Sequence, residues 1–179
     1  MKLWHDIALG DAAPQEINTI IEIPRGSSNK YELDKKTGLI KLDRANYSSA
    51  PYPFDYGFAP QTLWDDGDPL DVLVVSTFPI YPGVLVTVRP VGILNMIDGE
   101  DSDDKIIAVP VDDRRWEYVH DISDLNQHSL KEYQHFFETY KILKGKPSPV
   151  SVQGIKGKAD AIAAIEKAVH TYREKFPKD

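Results

Sequence analysis

Hydrophobic and polar positions along the 179-residue chain follow two periods, and the change from one to the other comes near Ser129. Before it, apolar residues recur in short alternating or continuous runs, which predict β-strands. Ile17 to Ile23 alternates, with Ile17, Thr19, Ile21 and Ile23 on one face and Glu22 on the other beside Ile20. After the loop from Pro24 to Asn29, Lys30 to Asp34 places Lys30, Glu32 and Asp34 on one side and Tyr31 and Leu33 on the other. Lys35-Lys36-Thr37-Gly38 turns the chain into Leu39 to Arg44, predicting a hairpin in which Arg44 follows Ile40 and Leu42 on their face. Val72 to Val75 and Ile106 to Val109 are continuous apolar strands, and Leu85 to Leu94 is a long strand bent near Pro90 and Gly92. Between them, Ala50 to Pro60 holds Tyr52, Phe54, Tyr56 and Phe58 among three prolines. This is either a stiff packed loop or a wall that presents Tyr52 and Tyr56 to a polar site.

From Ser129 the spacing becomes helical. Ser129 and Glu132 fit a capping box, Leu130, Tyr133, Phe136, Phe137, Tyr140 and Leu143 form a stripe, and Gly145 offers a C-cap. A second helix is expected over about Lys158 to Phe176, with Ile162, Ile165, Val169, Tyr172 and Phe176 inward. A Lys/Gly/Pro-rich linker from Lys144 to Gly157 joins them and carries a short extended piece, Val150 to Val152. Strands first and helices last, without alternation, predict an α+β domain spanning residues 1–179: a closed or nearly closed antiparallel barrel packed against two helices.

Composition narrows the function. A net charge of −7 argues against nucleic acid as a partner. The absence of cysteine excludes disulfides, zinc ribbons and thiol catalysis. No apolar run approaches the ~18 residues of a membrane span, and the segment Met1 to Gly10 has no signal-peptide core. A soluble, cytoplasmic protein with no membrane partner is expected.

The chemistry concentrates in two acidic loops. Asp65, Asp66, Asp68 and Asp71 crowd a turn punctuated by Gly67 and Pro69, directly before Val72. Asp98, Glu100, Asp101, Asp103 and Asp104 crowd a second loop directly before Lys105 and the next strand. A solvated acidic turn is the ordinary explanation for either one. Two of the same construction point instead to a shared carboxylate nest, whose oxygen ligands suit magnesium, manganese or calcium rather than zinc or copper. Neither loop fits the EF-hand frame, no phosphate-cradling glycine loop or GxSxG occurs, and the five histidines form no HExxH. Carboxylates interspersed with Lys, Arg and Tyr suit a multiply charged phosphate bound as its metal complex. Two rivals remain on this ground. One is a hydrolase of another phosphate such as a nucleotide, with Tyr52 or Phe54 as the stacking ring; the other is a calcium-binding or OB-type interaction module.

Asp66-Gly67-Asp68-Pro69-Leu70-Asp71-Val72 resembles the signature of soluble family I inorganic pyrophosphatases. Further blocks lie in the family's order: Glu22 to Ser27, Asn29 to Glu32, Asp43-Arg44, Tyr52 to Phe58, Asp103 to Pro110 and Phe136 to Lys141. The resemblance implies a five-stranded OB-like barrel and Mg²⁺-dependent hydrolysis of pyrophosphate to two orthophosphates, with Mn²⁺ as a possible substitute. It implies that Asp66, Asp71 and Asp103 hold activating ions, and that Asp98 and Glu32 serve ions arriving with substrate. Glu22 would belong to the same acidic wall, and Asp68 would be the general base for the attacking water. Lys30, Arg44, Tyr56, Lys105, Tyr140 and Lys141 would grip phosphate, and Tyr52 would steady the carboxylates. Relatives of this length are commonly homohexamers. Two features depart from the family: Gly99 stands where many members carry a second acid after Asp98, and the tail lacks a tryptophan found in some relatives.

Overall fold

The computed structural model describes residues 1–145 and 150–177; the expected linker's residues 146–149 lie outside the described residues. A short helix α1 (Leu3–Asp6) precedes strand β1 (Ile17–Ile23), the hairpin of β2 (Asn29–Leu33) and β3 (Ile40–Ala45), and β4 (Asp55–Phe58). Then come β5 (Asp71–Val74), β6 (Leu85–Asp98), β7 (Asp101–Ser102) and β8 (Lys105–Pro110). Helix α2 (Gln127–Thr139), strand β9 (Val150–Gly157) and helix α3 (Lys158–Lys175) complete the order.

Strands β1, β4, β5, β8 and β6 pair in that sequence, and β6 returns to β1, which closes the ring expected of an OB-like α+β barrel. One joint departs from a purely antiparallel arrangement: β5 and β8 run parallel, with Asp71 opposite Lys105 and Val72 opposite Ile106. Alternate residues of these two strands enter different cores. Val72, Val74, Ile106 and Ala108 pack with Ala161, Ile165 and Ala168 of α3, whereas Leu73, Ile107 and Val109 pack with Leu130, Tyr133, Phe136 and Phe137 of α2. Burial on both faces explains why their sequences are continuous rather than alternating. Gly57 is required where β4 crosses β1, because a Cβ there would lie 2.1 Å from the Ile20 carbonyl oxygen.

Several expectations are corrected. Ala50 to Pro60 is not all loop, since β4 pairs with both β1 and β5. The piece at Val150 is an eight-residue strand paired along β6 from Gly92 to Asp98; Gly154 and Gly157 interrupt its apolar pattern and hid its full length. Helix α2 starts two residues earlier than Ser129, because the Asn126 side chain accepts from the amides of His128 and Ser129. It ends before Leu143, which is exposed, and Gly145 (φ 80°) closes the following 3₁₀ turn instead. The inward face of α3 is Ala161, Ala164, Ile165, Ala168 and Tyr172, with Ile162, Val169 and Phe176 only partly covered; the small alanines let the helix approach the barrel closely. Leu39 and Leu42 are exposed because β2 and β3 form a separate two-stranded sheet. The bend at Pro90 and Gly92 is present as a register shift between β6 and β8.

Candidate active site

Two parallel strands begin at the same edge of a sheet, so the loops that feed β5 and β8 meet. The first delivers Asp66 and Asp68, and the second delivers Asp103. At the junction the Lys105 ammonium donates to Asp71 at 2.6 Å and also to Asp103, with only 2% of the lysine exposed. From the neighbouring strand β4, the Tyr56 hydroxyl donates to Asp71.

The hairpin supplies the opposite wall. Lys30 reaches Asp43 at 3.2 Å and Glu32 at 3.4 Å, and Arg44 donates to the same Asp43. Glu22 of β1 accepts from the Leu33 amide at 2.7 Å, which fixes β2 to the barrel. At the end of β6 Asp98 accepts from Lys141, one residue beyond Tyr140, the C-cap of α2. Lys35, in the β2–β3 turn, donates across to Asp68. These walls enclose a cleft of about 540 Å³ bordered by all the site residues expected from the sequence except Tyr52.

Tyr52 lies one layer behind, 2% exposed, with its ring centroid 6.1 Å from that of Tyr56 and 4.8 Å from that of Phe136. Phe54 is fully buried, so neither ring is available to stack on a nucleobase. Asp65 points away and pairs with Lys167 of α3 at 2.7 Å. Asp104 also turns away, accepting from Asn95 and from the Met96 amide. Gly99 (φ 70°) occupies a left-handed position in the tight turn that pairs Asp98 with Asp101, and Glu100 and Asp101 are exposed outside the cleft. Sequence reasoning missed Asp55, which is buried and accepts from the Arg25 and Ile80 amides and the Ser76 hydroxyl, bracing the turn before β2. It missed Lys35 as well, for which a lysine in a polar turn gives no signal.

The family model described as inorganic pyrophosphatase matches residues 19–173. The chain is 47% identical to soluble inorganic pyrophosphatase 1 of Arabidopsis thaliana over 171 residues, covering 96% of this chain and 80% of that protein. The chain belongs to the inorganic pyrophosphatase family. Solved structures of the family superpose closely: the inorganic pyrophosphatase of Thermus thermophilus has a TM-score of 0.94 at 45% identity, covering 97% of this chain and 99% of that one. That of Helicobacter pylori has a TM-score of 0.87 at 43% identity, covering 94% and 99%.

At the Lys105 junction of this pyrophosphatase-family cleft, the carboxylates Asp66, Asp71 and Asp103 outnumber the ammonium among them. Burial, and then the neighbouring Asp71 charge, push the Glu22 carboxyl up to about 8. Burial chiefly, with help from Asp71 and Asp103, pushes Asp66 up to about 7 despite the Asp68 amide that donates to it. Asp71 is also raised, burial outweighing the Lys105 ammonium. Burial alone would lower Lys105, yet Asp71 and Asp103 together raise it, so the ammonium stays charged. The Tyr56 and Tyr140 hydroxyls are held protonated by burial and nearby carboxylates, so they can donate. Among the described residues no three acidic or histidine side chains are already gathered about one point. The donor set nonetheless fits a hard divalent cation: the cleft offers carboxylate oxygens with no imidazole or thiolate, and around Lys105 three carboxylates, Asp66, Asp71 and Asp103, face one ammonium. Among the described residues no helix is long and apolar enough to cross a membrane.

Proposed function

We propose that this protein hydrolyses inorganic pyrophosphate to two orthophosphates in a Mg²⁺-dependent reaction with Asp68 as the general base. The observation that carries the reading is the convergence of two acidic loops on Lys105, facing a wall of Lys30, Arg44, Tyr140 and Lys141 in one cleft. Asp66, Asp71 and Asp103 would hold the activating ions, and Asp98 and Glu32 those that accompany substrate, with Glu22 completing the acidic wall. Bound there, magnesium, or manganese in its place, would neutralise phosphate oxygens and make the attacking water easier to deprotonate.

The chain's own groups supply the rest. Lys30, Arg44, Lys105 and Lys141 offset the charge of the substrate and hold it in line, while the Tyr56 and Tyr140 hydroxyls donate to its oxygens or to the acids beside them. Lys30 and Arg44 share Asp43, which sets both cations on one wall. Tyr52 contributes from behind, by packing against Tyr56. Asp68, which lines the cleft, would take the proton of the attacking water on its carboxylate.

Phosphate release from pyrophosphate, from ATP and from a substrate-free control tests this directly. Release from pyrophosphate far above release from ATP is expected, and the reverse preference would overturn the reading. The family resemblance further supports a cytoplasmic homohexamer. Light scattering coupled to size exclusion checks the assembly, and a particle near the 20.2 kDa chain mass would contradict it.

A further inference from the structure

The turn between β2 and β3 is more strongly built than its composition suggests. The Asp34 carboxylate accepts from the Thr37 amide at 3.2 Å and the Thr37 hydroxyl at 2.6 Å. The main chain closes the turn with Gly38 N–H donating to Asp34 at 2.7 Å and Asp34 N–H to Leu39 at 2.8 Å. Lys35 projects from this frame into the cleft, where its ammonium meets two groups. One is the Asp68 carboxylate, to which it donates. The other is the Trp4 ring, whose centroid lies 5.3 Å away. Trp4 is itself fixed, 6% exposed and donating its indole N–H to the Thr62 carbonyl at 2.8 Å.

Asp68 is held differently in backbone and side chain. Its carbonyl accepts from the Trp64 amide at 2.8 Å and its amide donates to Asp66 at 3.0 Å, so the main chain is pinned. Its side chain is 54% exposed, and among the described residues Lys35 is its only hydrogen-bond partner. Without that partner the carboxylate could turn among several rotamers in solvent. A half-exposed ion pair of this kind contributes little to stability. Its consequence is where it puts the carboxylate, and a general base must lie within hydrogen-bond reach of the proton it removes.

We propose that Lys35, backed by the Trp4 ring, is a positioning residue that fixes the Asp68 carboxylate at the mouth of the cleft. The proposal rests on the assignment of Asp68 as the base. A displacement of ~1 Å at a reacting group can cost on the order of 100-fold in rate, so a partial loss of order is expected to cost less than removal of the base itself. Lys35→Met should lower kcat about 3- to 30-fold, while KM and the Mg²⁺ affinity measured by calorimetry without pyrophosphate stay within about 3-fold. Lys35→Arg keeps a cation and a donor of similar reach and should return kcat to within about 3-fold of the parent. In an Asp68→Asn background, Lys35→Met should have no further effect, because a residue acting through Asp68 has nothing left to position.

Four results overturn the proposal. A parental kcat in Lys35→Met beside an impaired Asp68→Asn would sink it while leaving the base assignment intact. Equal losses from Lys35→Met in both backgrounds, or a loss confined to KM, would make Lys35 a direct phosphate ligand instead. A parental kcat in Asp68→Asn would remove the base and the positioning role together.

Discussion

Asp71 and Lys105 stand opposite each other where β5 and β8 run parallel, and the Lys105 ammonium donates to the Asp71 carboxylate at 2.6 Å. The pairing joins fold to chemistry. The strand register sets one carboxyl group and one ammonium side by side, and the shared starting edge of the strands brings Asp66, Asp68 and Asp103 around them.

Removal of that ammonium should therefore damage the fold as well as the site. Lys105→Met would leave Asp71 and Asp103 facing each other in a buried setting with their cation gone, and breaking a buried ion pair costs about 3–5 kcal/mol. Urea unfolding in EDTA should show a loss of that order, and Mg²⁺ should recover part of it by supplying positive charge to the same oxygens. A loss below about 1 kcal/mol in EDTA would mean that the acids are not relying on Lys105.

The metal requirement should be absolute and selective. EDTA should abolish pyrophosphate hydrolysis and excess Mg²⁺ restore it, since Asp66, Asp71 and Asp103 crowd together around a single ammonium, that of Lys105. Ca²⁺ takes more ligands at longer range than Mg²⁺. It should occupy the nest and slow turnover competitively when titrated against Mg²⁺. Full activity in metal-free protein, or comparable turnover with Ca²⁺ alone, would contradict the donor argument.

Stability should depend on pH through Glu22. Burial first, and Asp71 second, raise its carboxyl from 4.5 to about 8 in the folded protein. The folded state then holds the proton more tightly than the unfolded chain does. Its contribution is complete below about pH 4.5 and is lost as pH rises toward 8. Asp66, raised to about 7, adds to the same trend. In EDTA the melting temperature should fall between about pH 5 and pH 8. Glu22→Gln, which keeps the acceptor for the Leu33 amide, should flatten that fall, and Mg²⁺ should reduce it in the parent. A flat profile in EDTA would show that Glu22 does not hold its proton across this range.

How much of this was legible in the sequence depended on whether the signal was local. The apolar runs marked the barrel strands, because continuous runs such as Val72 to Val75 are buried on both faces. The resemblance supplied the acids and cations, and all but Tyr52 border one cleft. Tyr52 escaped because a tyrosine in an aromatic loop can equally face a site or back one, and its burial is decided by Phe136, far along the chain. The parallel joint of β5 and β8 was invisible for the same reason: strand direction depends on how β6 and β7 route the chain between them. Yet that joint explains why two acidic loops precede two strands. Strand β9 was underestimated because its own alternation is short, Val150 to Gln153, and its pairing with β6 carries the strand on through Gly154 to Gly157.

The sharpest comparison is between Asp65 and Asp68, two aspartates of one turn with opposite surroundings. Asp68 borders the cleft and accepts from Lys35, while Asp65 lies outside it and pairs with Lys167 of α3 at 2.7 Å. If the turn were merely an acidic run, neutralising either residue would have a similar small effect. As the base, Asp68 should contribute about 10²–10⁴-fold, so Asp68→Asn should lower kcat by that order. Asparagine keeps the size of the side chain and can still accept a hydrogen bond, so the fold should persist and the loss should be chemical. Asp65→Asn removes only a half-exposed ion pair, worth ~0–1 kcal/mol, and should stay within a few-fold of the parent. Both variants belong at saturating Mg²⁺, where weakened ion binding cannot imitate lost chemistry. Equal rates for the two would take the base assignment away from Asp68, and with it the reason for Lys35 to reach across the cleft.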